Sequence, residues 1–453
     1  MDTNLEALVH RPVGRLLWEY SLPAVIGMLV TALYNVVDRI FIGQWCGPDA
    51  IAGLTVTFPL MNLATAVGTL VGVGSSSRVS IVLGAGQEST AEKYLGNALS
   101  LTILNGCIYL MFFFLFLEPL LRGFGASDVT YPIASEYMLV LMPGLLLTNV
   151  AFSLNNVMRA SGYPKRAMAT MLIGAVANCI LDPIFIKVLE LGILGAALAT
   201  DIAMAISAIF VLWHFCRKDV TVGFRRGIYG LNWDIFIGII SIGAAPAVVN
   251  ASACAINAIM NIKLLGYGGD TAIAAAGIFT TFASLITTIT IGICQGMQPI
   301  VGYNYGAGRL DRLSRTYWLA VGVATILTLG GSVVGLCFPS TVARAFTDST
   351  ELISVSDNAL RHSMLAFSVV GFQIISTCLF QSLGKAAKSI FLGLIRQVIF
   401  LVPLLLWLPG QLGLNGVWLS FPISDLFATL VTAILIIIQF RNIREEIPKA
   451  VDI

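Results

Sequence analysis

Ala177-Asn178-Cys179-Ile180-Leu181-Asp182-Pro183-Ile184-Phe185-Ile186 decides how the rest of the chain is read. It lies within an apolar segment from about residue 164 to 189, enough to cross a bilayer as a helix at about 20 residues per span. Asp182 interrupts that segment. An ionised carboxylate at membrane depth is costly unless paired, protonated or wet, so an acid there marks a functional site. Asn178 lies four residues earlier on the same helical face, where its amide can bond the acid or share a cation with it. Pro183 removes a backbone donor next to the acid and loosens the helix. The competing reading is a protonated Asp that only bonds a neighbouring helix.

Composition agrees with a membrane setting. Of 453 residues, 57% are hydrophobic and 11% charged, and the mean hydropathy is +0.88. This predicts an all-α integral membrane protein, with apolar runs recurring along the whole chain. A net charge of +2 without a compact basic block excludes nucleic acid as a partner. The eight cysteines show no CxxC pair and read as small apolar residues, not as a disulfide framework or a metal site. Met1 to Arg15 leads into the first apolar segment without a small-residue cleavage pattern, so that span is expected to be retained.

The apolar pattern predicts 12 transmembrane helices: about 14–41, 51–83, 92–117, 130–158, 164–189, 192–216, 234–264, 272–302, 312–338, 350–382, 387–409 and 414–441. With the N-terminus inside, nineteen Lys and Arg fall on the inner side and six on the outer, with Arg396 left within a span. Both termini are therefore expected in the cytoplasm.

The loop at 217–233 divides the chain into 1–216 and 234–453, six spans each. The halves repeat. Leu22-Pro23-Ala24-Val25 matches Ala245-Pro246-Ala247-Val248, Ala50-Ile51-Ala52 matches Ala272-Ile273-Ala274, Gly84-Ala85-Gly86 matches Gly306-Ala307-Gly308, and Gly162 matches Gly384, at separations of 222 or 223. Because six is even, both copies cross the membrane in the same direction. The expected architecture is two pseudo-symmetric six-helix lobes arranged as parallel repeats, an N-lobe and a C-lobe with a short cytoplasmic tail.

Departures from the repeat carry the functional signal. Asp38 corresponds to Asn261, and Asp182 falls opposite Leu401-Val402-Pro403, so these carboxylates belong to the first lobe. Both fall in the outer part of outward-running spans, and Thr200 lies at a compatible depth. Asn155 and Asn156 fit that depth less well. Tyr34 and Asn35, one turn before Asp38, are weaker candidates for a hydroxyl and an amide. Such an oxygen cluster can hold a small hard cation such as sodium, or the two acids can share a proton, because like charges in a dry pocket cannot both ionise. Arg396 and Asp425, in the eleventh and twelfth spans, are expected to pair, the alternative being an Arg that faces a wet cavity.

In these residues the chain resembles the MATE (multidrug and toxic compound extrusion) family, over essentially its whole length. The resemblance is carried by Pro23 followed by Tyr34-Asn35-Val36-Val37-Asp38 and Phe41-Ile42-Gly43, by Leu154-Asn155-Asn156 through Lys165, by Asn178 to Pro183, and by Gly195 to Thr200. It is similar to bacterial members on the MepA-like and DinF-like side. That resemblance implies a non-enzymatic antiporter, driven by protons or sodium and exporting amphipathic, often cationic organic compounds across the bacterial cytoplasmic membrane. It implies a cation site at Asp38, Asn178, Asp182 and Thr200, with Asn155 or Asn156 as the fourth-span amide, and a bend of the first helix at Pro23. The acidic second-lobe site of the NorM-like branch has no acid on the seventh span here. Membrane lipid and small organic molecules are the expected partners of a monomer without cofactors. The rival function is a lipid-linked oligosaccharide flippase, which needs a basic cavity, or the exporter of one metabolite.

Overall fold

The structure is a computed structural model that describes residues 3–450; the ends of the expected lobes, residues 1–2 and 451–453, lie outside the described residues. Apart from the connecting loops and turns the described residues are helical, as a hydrocarbon solvent requires, because every backbone polar group must be satisfied within its own segment. After a short α1 (Thr3–His10) come α2 (Val13–Cys46), α3 (Pro48–Gly84), α4 (Glu88–Gly123), α5 (Thr130–Ala160), α6 (Pro164–Asp182) with a π-helical extension Pro183–Val188, and α7 (Gly192–Cys216). The second half holds α8 (Trp233–Gly306), α9 (Leu310–Cys337), α10 (Pro339–Arg344), α11 (Thr350–Ser363), α12 (Val370–Ser382), α13 (Ala386–Leu394), a π-helical segment Ile395–Leu401, α14 (Val402–Leu412) and α15 (Leu414–Ala450).

Among the described residues ten continuous helical stretches are long and apolar enough to span a membrane, and α11 with α12 forms a further span bent by 55°. The 74-residue α8 is about 110 Å long at helical rise, more than two bilayer crossings. It breaks at Gly269, where φ is +65°, and so supplies two spans. This brings the count to the twelve expected.

The chain packs as two units, Met1–Arg11 with Leu22–Ala247, and Pro12–Ser21 with Val248–Ile453. Sequence alone places the division in the loop 217–233; packing places it inside α2 and α8. In the first unit the loop is tied down, with Asn97 Nδ2 donating to Gly230 O at 3.2 Å and Arg225 Nε meeting Glu92 at 3.0 Å. The start of α8 lies backbone to backbone on α3: a Cβ on Gly243 would collide with Leu70 O. In the second unit the inner end of α2 makes the corresponding approach, where Ser21 Oγ reaches Ile293 O at 3.5 Å and a Cβ on Gly296 would meet Ser21. Residues 21 and 243, like 70 and 293, stand 222 and 223 apart, so the repeat is visible in packing.

The turns repeat as well. Gly86 and Gly308 have φ of +75° and +70°, and Gly162 and Gly384 have +97° and +72°. Each closes a helix with the same pair of bonds, for example Tyr163 N to Met158 O at 3.1 Å and Lys385 N to Phe380 O at 2.9 Å. Only glycine adopts this conformation without strain, which is why these glycines mark the duplication.

Gly243→Leu should therefore push α8 off α3 and sharply lower both the yield and the thermal midpoint of the purified protein. Gly322→Ala, where a Cβ meets nothing within 4 Å, should leave the midpoint within experimental scatter.

Candidate functional site

The first unit gathers its polar side chains where α2, α5, α6 and α7 meet. On α2, Tyr34 and Asp38 are one turn apart, as are Asn178 and Asp182 on α6, so each helix presents two groups on one face. Asn178 and Asp182 are fully buried. Asn178 Nδ2 donates to Asp182 Oδ1 at 3.1 Å and to Thr200 Oγ1 on α7 at 3.3 Å. Asp38 and Asp182 are direct electrostatic neighbours, and both act on the Tyr34 hydroxyl. Arg39, adjacent in sequence to Asp38, places its guanidinium over the Phe58 ring at 4.7 Å.

The local backbone explains the position of Asp182. Pro183 has no N–H, so the helix cannot continue its usual ladder, and it widens into a π turn in which Leu189 N reaches Ile184 O at 2.9 Å. Asp182 is the last α-helical residue before that widening. Its Oδ2, Asp38 Oδ1 and Asn178 Oδ1 are buried without a hydrogen-bond donor. Three such oxygens beside a hydroxyl suit a hard monovalent cation, or protons shared between the two acids. Among the described residues no group of three His, Cys, Asp or Glu converges, so the donor set does not suit a soft transition metal.

Other expected residues lie elsewhere. Asn155 Nδ2 donates to Ala167 O at 2.6 Å, eleven residues and about 16 Å along α6 from Asn178. Asn155 and Asn156 instead accept from the buried Arg159, at 2.9 and 3.5 Å. Asn35 turns its amide back to Thr31 O on its own helix, at 2.9 Å and exposed. Pro23 sits inside the continuous α2.

Two further polar residues stand nearby: Tyr137, which spacing does not single out, and Asp201, which follows Thr200 and so points about 100° away from it. Tyr137 of α5 is buried and feels Asp38, Asp182 and Asp201. Asp201 directs its carboxylate into the space a Cβ on Gly144 would take. Both come from helices whose rotation about their own axes is set by packing, and a lone Tyr in an apolar span gives only a faint signal.

Among the described residues the second unit has no such acid pair on α8. Its intramembrane charges neutralise each other: Arg396 Nε meets Asp425 Oδ1 at 2.6 Å, with the Asp425 side chain only 4% exposed. Ser424 Oγ donates to Arg396 O, and Gln373 Nε2 donates to Asp425 O. The pair borders a cavity of about 160 Å³ that Asn257, Gln397 and Phe421 also line. Near the outer end of the tenth span, Asp357 is held by Arg361 at 2.7 Å and Ser340 at 2.6 Å.

A family model described as MatE matches residues 23–184 and again 246–407, two copies 223 residues apart. The chain belongs to the MatE family of transporters. The multidrug export protein MepA of Staphylococcus aureus (strain MSSA476) is 26% identical over 449 residues, 97% of each chain. Its namesake from Staphylococcus saprophyticus is 24% identical over 450 residues, again 97% of each. Among solved structures, a MATE protein in its bent conformation superposes with a TM-score of 0.93 at 25% identity, over 98% of this chain and 99% of that one. An outward-facing multidrug resistance MATE family transporter of the MOP superfamily gives 0.89 at 25% identity, over 99% and 98%.

Removing one member of the Arg396 pair strands a charge. Asp425→Ala should destabilise the protein by about 3–5 kcal/mol, read as a lost thermal midpoint, whereas Arg396→Met with Asp425→Leu should recover most of it.

Proposed function

We propose that this chain is a cation-coupled antiporter that exports amphipathic, often cationic organic compounds from the bacterial cytoplasm by alternating access. The observation that carries the reading is the first-unit oxygen cluster: two carboxylates and an amide with three buried oxygens lacking donors, on a duplicated chain whose second copy has no counterpart. Family membership and the relatives named for multidrug export support it.

The residues suggest how exchange is coupled. With Asp38 and Asp182 ionised, the pocket is electronegative, and a cationic substrate entering from the cytoplasm is attracted to that lobe. After outward opening, a proton or sodium ion from outside satisfies the same oxygens, with Asn178 and Thr200 completing the shell. The lobe is then neutral and the organic cation loses its attraction. Two ligands favouring one negative site in different conformations give antiport without contact between them. Pro23, near the inner end of α2, is placed where a bend would change how that helix presents Asp38, about 22 Å further along it.

Efflux of a fluorescent organic cation from everted vesicles, with sodium and pH gradients imposed separately, tests this. Asp38→Asn and Asp182→Asn should each lose gradient-driven efflux to near the level of vesicles without the protein, and the gradient that drives the wild type names the ion. Tyr34→Phe should give partial loss, and Asn35→Ala, whose amide bonds its own helix, near-normal efflux. Undiminished coupled transport in both Asp variants would overturn the site. Absence of organic-cation efflux in the wild type would favour a flippase or a single-metabolite exporter.

A further inference from the structure

A cavity lies within the second unit, at the end of α9 and α15 that the Lys and Arg distribution assigns to the cytoplasm. It measures about 840 Å³, in the size range of ligand sites. Its rim carries Arg315, Arg441 and Asp311, and its walls carry Trp318, Phe372 and Phe440. Among the described residues the rim thus carries two guanidinium groups and one carboxylate, and neither Arg315 nor Arg441 forms an ion pair. The first turn of α9, which begins at Leu310, adds the positive end of a helix dipole.

Shape and depth narrow the occupant. On α15 the wall is built from Ala433, Ile436, Ile437, Phe440 and Ile443, spaced three and four apart and so on one helical face. From Ala433 to Phe440, just inside Arg441, seven residues of helix span about 10 Å, most of the roughly 15 Å depth of one leaflet. Trp318 and Phe440 lie nearly parallel, ring centroids 6.2 Å apart, at the height where aromatic side chains border headgroups. A free phosphate would leave this apolar wall unused, and a peptide would leave unsatisfied backbone groups in it. One molecule matches both ends: an anionic headgroup on the arginines with an acyl chain along α15.

We infer that the groove between α9, α12 and α15 is a specific site for one anionic phospholipid of the cytoplasmic leaflet, with Arg315 and Arg441 holding its phosphate and Trp318 and Phe440 its upper chain. The site is separate from Asp38 and Asp182 and does not depend on what the protein exports.

The test is native mass spectrometry and thermal unfolding of the purified full chain with phosphatidylglycerol, phosphatidylcholine of the same chains, or inorganic phosphate. Wild type should retain one phosphatidylglycerol most tightly and gain stability from it beyond the gain with phosphatidylcholine. Arg315→Gln with Arg441→Gln should weaken that lipid by about 10-fold or more and erase the headgroup-specific gain. Lys165→Gln, an exposed inner-side cation of the first unit, should change neither. Should the double variant fold poorly, brominated-chain lipids serve with wild type and Trp318→Phe: brominated phosphatidylglycerol should quench more than its phosphatidylcholine equivalent, with the difference lost in Trp318→Phe. Equal retention of both lipids, unchanged affinity in the arginine variant, or an equal effect of phosphate alone would overturn the assignment.

Discussion

Inside a bilayer no water is present to satisfy a peptide group, and the structure depends on that constraint more than on any single contact. It forces the chain into helices, and it makes every departure from helical bonding both costly and local. Two departures stand out because each coincides with a charge. The π turn Pro183–Val188 begins immediately after Asp182, and the π-helical segment Ile395–Leu401 contains Arg396. Widened turns of this kind leave backbone groups less committed and re-aim the side chains beside them, which suits positions where a charge must be presented to a particular neighbour.

The same solvent removes the usual driving force for association, since lipid is as apolar as a leucine side chain. Helices then adhere through close backbone approach and interhelical hydrogen bonds. The contacts of Gly243 with Leu70 and of Ser21 with Gly296 are of this type, and they recur at equivalent places in the two copies. They also explain why the packing units divide within α2 and α8. A helix follows the surface on which its backbone fits most closely, and the loop that separates the two copies in sequence has no influence on that fit.

Duplication supplies a scaffold on which the halves have diverged electrostatically. In the first unit Asp38 and Asp182 stand together, and the nearby Arg39 turns its guanidinium onto the Phe58 ring. In the second, Arg396 and Asp425 satisfy each other, and the charge is internally balanced.

The amino-acid sequence by itself determined the membrane setting, the twelve spans, the repeat at 222 to 223 residues, and the pairs at i and i+4 that put Asn178 beside Asp182 and Tyr34 beside Asp38. These are consequences of hydropathy and of a fixed helical period, both local. The Arg396–Asp425 pair was legible too, because a lone charge at that depth has few affordable alternatives. Tertiary structure alone decided which helices meet. It brought Tyr137 to the carboxylates and left Asn155 and Asn156 with Arg159 on α5, where Asn155 meets α6 at Ala167, some 16 Å along that helix from Asn178. It placed the start of α8 in the first unit and formed the groove beside Trp318. The rotation and depth of one helix against another depend on the summed fit of many small contacts distant in sequence, and no residue spacing within a single helix encodes that sum.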